Sequence, residues 1–137
     1  MNEITINELK MYSPPQVFIG SLFCGPFSML YFIWKNFKTM GQSQKATYTI
    51  IYGVLFIFAL IGCLQLVPPR INPIIPGIIT PFFYSLAAYQ IVNSLQMEKE
   101  AIQRSTNYNT QSNWRVATYG VILYLAWIAV TFSIQQI

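Results

Sequence analysis

The chain of 137 residues contains no histidine and no aspartate, and its four acidic residues are all glutamates. Glu3, Glu8, Glu98 and Glu100 lie outside every long apolar run of the sequence. A proton relay, a catalytic carboxylate pair or a metal cluster inside the apolar runs would need ionisable side chains there. The sequence therefore predicts that the protein is not an enzyme and that it has no cofactor and no metal site.

Cysteine is also scarce, with two copies in the whole chain. Cys24 and Cys63 lie in different apolar runs, whereas membrane thiol oxidoreductases need paired cysteines such as C-x-x-C. We interpret both residues as small apolar packing residues.

Charged residues make up only 9% of the chain and hydrophobic residues 54%, whereas soluble domains carry roughly 25% charged residues. Each apolar run is close to the ~20 residues with which a helix crosses the hydrocarbon layer. The sequence predicts one integral membrane domain over residues 1–137, with an all-α fold that is a four-helix transmembrane bundle. The predicted spans are residues 17–34, 47–67, 74–95 and 116–134.

Basic residues are distributed unevenly between the connections, and cytoplasmic connections are enriched in Lys and Arg. Six of the eight basic residues flank or lie within two connections, namely Lys35, Lys38, Lys45, Lys99, Arg104 and Arg115. Only Lys10 and Arg70 are expected on the other side. We therefore predict that loops 35–46 and 96–115 are cytoplasmic and that both termini lie outside. The net charge of +4 is thus explained by membrane orientation, and no nucleic-acid partner is expected.

Proline and glycine make two of the spans irregular. Gly25-Pro26 lies in the middle of the first span, where proline kinks a helix. Pro73, Pro76 and Pro81 occupy the first part of the third span, which is expected to begin as a bent or partly unwound segment.

The connection before the fourth span is expected to have two parts. Residues 96–104 alternate charged and apolar side chains, which predicts an amphipathic extension of the third helix. Residues 105–113 are polar, which predicts a mobile segment, and Asn113 is expected to cap the fourth helix.

A weak internal similarity links the two halves of the chain. Pro26-Phe27 recurs as Pro81-Phe82, and Tyr52-Gly53-Val54 recurs as Tyr119-Gly120-Val121. The similarity indicates either two helical hairpins related as a parallel repeat or a chance match between apolar sequences.

Candidate functional residues fall into four groups. Small residues that permit close helix approach are Ser21 and Gly25, which form a small-xxx-small pair, together with Gly53 and Gly120. Asn36 and Asn93 lie near the ends of helices that run in the same direction, where they would either line a vestibule or act as caps and interhelical glue. Pro26 and Pro81 mark backbone irregularities, and Arg70 is a candidate exterior contact or a snorkelling interfacial residue.

Several short motifs resemble those of a family of small bacterial inner-membrane proteins. They are Ser13-Pro14-Pro15-Gln16, Gly25-Pro26, Asn36-Phe37, Gly41-Gln42 and Ser112-Asn113-Trp114-Arg115. The family pattern is roughly S-P-x-Q, G-G-P, R-N-Y, L-G and S-x-W-R. Here Cys24 replaces the first glycine of G-G-P, Lys35 the arginine and Phe37 the tyrosine. The resemblance implies a four-helix architecture in the bacterial cytoplasmic membrane and assigns no catalytic residue.

Two functions are compatible with these features. The first is a non-enzymatic membrane protein, such as a subunit, adaptor or immunity-type protein, that packs its helices against another membrane protein or against its own copies. The alternative is an oligomeric channel or transporter for a small solute or ion. The expected surroundings are the lipid bilayer together with a homo-oligomer or another membrane protein.

Overall fold

The computed structural model describes residues 9–136, and this part of the chain is almost entirely helical. Its elements are β1 (Leu9–Met11), α1 (Pro14–Thr39), α2 (Ser43–Gln65), α3 (Ile74–Leu95), α4 (Lys99–Arg104), β2 (Tyr108–Thr110) and α5 (Asn113–Gln135). Helices α1, α2, α3 and α5 are long and apolar enough to cross a membrane. The predicted all-α fold with four long apolar helices in a bundle is confirmed.

Helix α1 is divided at Gly25 into two parts, α1a (residues 14–24) and α1b (residues 26–39). Gly25 has φ 85° and ψ 180°, a conformation that glycine adopts without steric cost. Pro26 disfavours the helical conformation at the preceding residue and starts the next helix well, because its missing N–H is not needed in a first turn. The hydroxyl of Ser28 donates to the carbonyl of Cys24 at 2.9 Å, so the last turn of α1a keeps a hydrogen-bond partner.

The chain reverses its direction at this break. A methyl group on Gly20 would lie 2.5 Å from the ring of Phe32, and the rings of Tyr12 and Phe32 are 4.6 Å apart. The backbone of Tyr12 is bonded to the side chain of Asn36. At 1.5 Å per residue the two parts rise by only about 16 and 21 Å, less than the ~30 Å hydrocarbon layer. The sequence predicted a kink within one span, whereas α1 is a hairpin that begins and ends at the same end of the bundle.

Helix α1 forms the centre of the molecule. Half of its apolar window is buried, against 11% for α2, 17% for α3 and 6% for α5. The three outer helices each pack on α1, and they make few contacts with one another. The bundle therefore consists of an inner hairpin with three longer helices around it.

One end of the bundle carries the connections 40–42 and 96–112, and we call it the basic end. Strand β1 pairs in parallel with β2 here, with Lys10 opposite Asn109. Residues 105–113, expected to be mobile, thus contain an ordered strand. Helix α3 ends at Leu95 rather than extending further, because Gln96 has φ −117° and ψ −111°. The amphipathic pattern of residues 96–104 forms the separate helix α4, in which Ile102 is fully buried.

The reversal of α1 changes the predicted sidedness. Residues 9–13 lie at the basic end, with the two connections that the sequence placed in the cytoplasm. The opposite end, which we call the far end, contains the connection 66–73 and the last turn of α5. The expectation that the chain enters the first span from the side opposite to these connections is therefore wrong for residues 9–13. Residues 1–8 and 137, the termini themselves, lie outside the described residues.

The prolines of the third span have little effect on its helix. Pro76 lies in the first turn of α3, where a backbone N–H is not required, and α3 continues through Pro81 to Leu95. The bent or partly unwound start expected for the third span is not found, whereas the kink expected at Gly25-Pro26 is a complete break. Pro26-Phe27 and Pro81-Phe82 thus have different backbones, which favours chance similarity over a repeat.

The conformation of Gly25 leads to a stability prediction. Gly25→Ala should destabilise the protein by about 1–3 kcal/mol, because a side chain is strained at this φ. The added methyl group would also lie 3.3 Å from Trp127. Unfolding of the purified protein in mixed micelles by a denaturing detergent measures the change. The control is Gly77→Ala, since Gly77 has no neighbour within 4 Å and lies in a helix; equal stability of the two variants would contradict the assigned conformation.

The hairpin also predicts which positions share a side of the membrane. In a background of Cys24→Ala and Cys63→Ala, an impermeant thiol reagent should label Lys10→Cys, Gln42→Cys and Asn107→Cys from one side. Arg70→Cys should be labelled from the other side. Labelling of Lys10→Cys together with Arg70→Cys would mean that α1 crosses the membrane.

Candidate functional site

Asn36 is the polar centre of the basic end. It is fully buried and makes three hydrogen bonds. Its Oδ1 accepts from the backbone N–H of Tyr12 at 2.8 Å, and its Nδ2 donates to the carbonyl of Tyr12 at 2.7 Å and to Oε1 of Gln96 at 2.8 Å. Asn36 thus pairs with the backbone of Tyr12 as a neighbouring strand would, and it holds the two ends of the α1 hairpin together.

Glutamines extend this network to the other helices. Nε2 of Gln96 donates to the carbonyl of Ile33 at 2.9 Å, which fixes the end of α3 on α1b. Nε2 of Gln16 donates to the carbonyl of Gln111 and to Oδ1 of Asn113, both at 2.7 Å. Asn113 therefore contacts α1, while Ser112 is the residue that caps α5, since its Oγ accepts from the N–H of Trp114. Together these hydrogen bonds join the start of α1, the end of α3 and the start of α5 at the basic end of the bundle.

Tyr12 is an uncharged member of the same region. Its side chain is buried against Phe32 and Tyr31. Burial, followed by the neighbouring Tyr31, raises the pKa of the Tyr12 phenol above its ordinary value. The phenol therefore stays protonated throughout the neutral range. The Tyr12 ring lies at the open end of the α1 hairpin, where it packs against Phe32 and Tyr31.

The small residues predicted to receive a partner helix are used inside the molecule. Ser21 and Gly25 are buried within α1. A methyl group on Gly53 would lie 2.5 Å from Leu30, and one on Gly120 would lie 2.6 Å from Sγ of Cys24. Gly53 thus brings α2 close to α1b, and Gly120 brings α5 close to α1a. These small residues set the internal helix spacing.

The remaining predicted residues lie apart from one another. Pro26 and Pro81 both border a cavity of about 150 Å³ beneath the tip of the hairpin. Asn93 is half-buried on α3 and has no side-chain hydrogen bond within residues 9–136. Arg70 is exposed in the connection at the far end. Asn36 and Asn93 therefore do not form a shared polar vestibule, and for Asn36 the interpretation as interhelical glue is the one the structure supports.

Two larger cavities open beside α1. The first has a volume of about 540 Å³ and lies between α1b, α2 and α3, with almost entirely apolar walls. The second has a volume of about 820 Å³ and lies between α1a and α5. It is lined by polar residues such as Gln16, Lys99 and Asn113 and by apolar residues such as Ile19 and Val116. The first cavity is thus apolar, and the second has a mixed polar and apolar lining.

Sequence reasoning missed Tyr12, Gln16, Gln96 and Gln111. Each lies just outside an apolar run, where a polar residue is usually solvated, so burial was not expected from its position. The one available signal was the motif Ser13-Pro14-Pro15-Gln16, in which the Gln16 side chain accepts from the N–H of Ser13 at 3.0 Å.

Asn36 and Asn93 give a matched pair of substitutions. Asn36→Leu should destabilise the protein by about 1–3 kcal/mol for each buried backbone group left unpaired. Asn93→Leu should change the stability little, because no described hydrogen bond is lost. Unfolding in mixed micelles compares the two variants. A similar effect of both substitutions would contradict the structural role of Asn36.

Asn36 and Gln96 thus form one hydrogen-bonded group at the basic end, and Gln16 joins α1 to the start of α5. Two larger cavities lie beside α1. Within residues 9–136 no group of three or more His, Cys, Asp or Glu side chains is arranged to hold a metal ion. The resemblance to small bacterial inner-membrane proteins stays a prediction. No family model matches the chain, and neither a curated protein nor a solved structure matches it.

Proposed function

We propose that the protein is a non-enzymatic integral membrane protein that acts by packing its outer helices against a membrane partner or a second copy of itself. The observation that carries this proposal is the arrangement of α2, α3 and α5, which each pack on α1 and leave most of their apolar surface uncovered. A central hairpin that holds three separate helices provides several lateral faces to neighbouring membrane proteins.

Helix α2 provides the most suitable face for a partner. Ile51, Leu55 and Phe58 follow each other at helical spacing, and their side chains are between 50% and 70% exposed. Gly62 continues this face and has no neighbour within 4 Å. Because helix association in membranes depends on close packing at small residues, Gly62 is the position at which another helix can approach most closely. This role replaces the one that the sequence assigned to Ser21 and Gly25.

The distribution of charge supports an orientation with the basic end in the cytoplasm. Every lysine and arginine except Arg70 lies at the basic end, since Lys10 joins the other basic residues through the pairing of β1 with β2. The asymmetry is greater than the sequence alone indicated, and it follows the positive-inside rule. The charge distribution supports an orientation with residues 9–13 inside, and the motif resemblance supports the cytoplasmic membrane of a bacterium as the location.

A channel or transporter is the second candidate, and the α1 hairpin favours it. Broken helices that end within the membrane line the substrate sites of many transporters. Here the break at Gly25 and Pro26 faces the cavity that contains Thr80 and Trp127. Flux of ions or small solutes through liposomes that contain the purified protein would favour transport, and tight liposomes would favour the partner function.

Cross-linking tests the partner function directly. In cells that produce the protein without its native cysteines, Leu55→Cys on α2 should form one dominant cross-linked species with a membrane-soluble reagent. Leu125→Cys on α5 is the control, because the two leucines are 60% and 61% exposed. Gly62→Leu should reduce cross-linking at position 55 several-fold, and Gly77→Leu should not. Equal cross-linking at positions 55 and 125, or none at either, would contradict a partner on α2.

A further inference from the structure

We infer that the cavity between α1b, α2 and α3, which we call the lateral groove, binds one chain of an anionic phospholipid from the leaflet at the basic end. This site is separate from the partner face on α2, and the inference does not depend on the partner function. It rests on the shape of the groove, on its closed inner end and on the charge at its mouth.

The groove has the dimensions of a lipid chain. Its volume is about 540 Å³, and its walls include Leu30 and Ile33 from α1b, Tyr52 from α2, and Ala87 and Ile91 from α3. Tyr52 and Ala87 are exposed on the outer surface, so the groove opens sideways to the bilayer. Along α2 it extends from Lys45 to Phe56, a rise of about 16 Å, which matches one half of the ~30 Å hydrocarbon layer.

The inner end of the groove is closed by aromatic rings. Phe56 of α2 and Tyr84 of α3 meet edge to face, with 6.3 Å between the ring centroids. This contact joins α2 to α3 near the middle of the membrane. A partner helix that crosses the whole bilayer could not lie in the groove along the full length of the helix. A lipid acyl chain from one leaflet, in contrast, would end at the level of the two rings.

The mouth of the groove carries a positive charge at the level of the lipid headgroups. Lys45 lines the groove and is exposed, and its Nζ lies 5.9 Å from the centroid of the Phe37 ring. The ion pair found within residues 9–136 joins Arg104 to Glu100, so no described carboxylate neutralises Lys45. Tyr48, which follows Lys45 by three residues on α2, also lines the groove, and its hydroxyl accepts from Nε2 of Gln44 at 3.3 Å. A phosphate group attached to the bound chain would therefore meet an ammonium group and a phenol.

The test compares retention of phosphatidylglycerol and phosphatidylcholine that carry the same acyl chains. The protein is reconstituted with an equal mixture of both lipids, extracted in mild detergent, and analysed by native mass spectrometry. The intact protein should retain one phospholipid and should favour phosphatidylglycerol by about fivefold, the preference that one lysine near an anionic surface provides.

Two variants test separately the contribution of the Lys45 charge and the contribution of the groove volume to lipid binding. Lys45→Gln should remove the preference for phosphatidylglycerol. Ala87→Trp should abolish retention of either lipid, because the larger side chain fills the groove. The controls are Lys35→Gln, an exposed basic-end lysine that does not line the groove, and Val121→Trp on the outer face of α5. Ala87→Phe is a milder filling variant if Ala87→Trp does not fold.

Three results would overturn the inference. The first is an equal loss of the preference for phosphatidylglycerol in Lys45→Gln and Lys35→Gln, which would mean that general surface charge causes the preference. The second is undiminished lipid retention in folded Ala87→Trp or Ala87→Phe. The third is efficient cross-linking of Ala87→Cys to another protein, which would mean that a polypeptide occupies the groove.

Discussion

A polypeptide that leaves the helical conformation inside hydrocarbon loses hydrogen bonds that no water molecule can replace. The reversal of α1 at Gly25 is such a departure, and the positions of the other helices follow from it. Glycine permits the conformation, Pro26 removes one donor that would otherwise be unpaired, and the hydroxyl of Ser28 returns a bond to the carbonyl of Cys24. The surrounding helices α3 and α5 keep the remaining backbone away from lipid.

The hairpin determines how the other elements are used. Because α1a and α1b are both short, they fill only part of the depth of the bundle, and α2, α3 and α5 have no continuous central helix to pack on. Small residues at Gly53 and Gly120 bring α2 and α5 close to α1, and the spaces left between the outer helices become lateral grooves. Within residues 9–136, the side-chain hydrogen bonds that join different helices lie at the basic end and involve Asn36, Gln96 and Gln16.

The sequence predicted the elements better than their arrangement. The four apolar helices, the break at Gly25-Pro26 and the amphipathic residues of α4 follow from local composition and periodicity. The reversal does not, because residues 17–34 have the length and composition of an ordinary span. Its stabilising contacts, such as that between Tyr12 and Asn36, join residues far apart in sequence. The pairing of β1 with β2 was also missed, since strands of three residues give no periodic signal. Arg70 and Asn93 remain without a described interaction that would assign them a role.

The pairing of β1 with β2 has a consequence for biogenesis. Residues 9–11 are synthesised before their partners at 108–110, and α2 and α3 are made between them. The bonds between Tyr12 and Asn36 can form once α1 has been made, whereas the pairing of β1 with β2 has to wait until α2 and α3 have been synthesised. The open end of the α1 hairpin therefore acquires its strand partner only after two further long helices have left the ribosome.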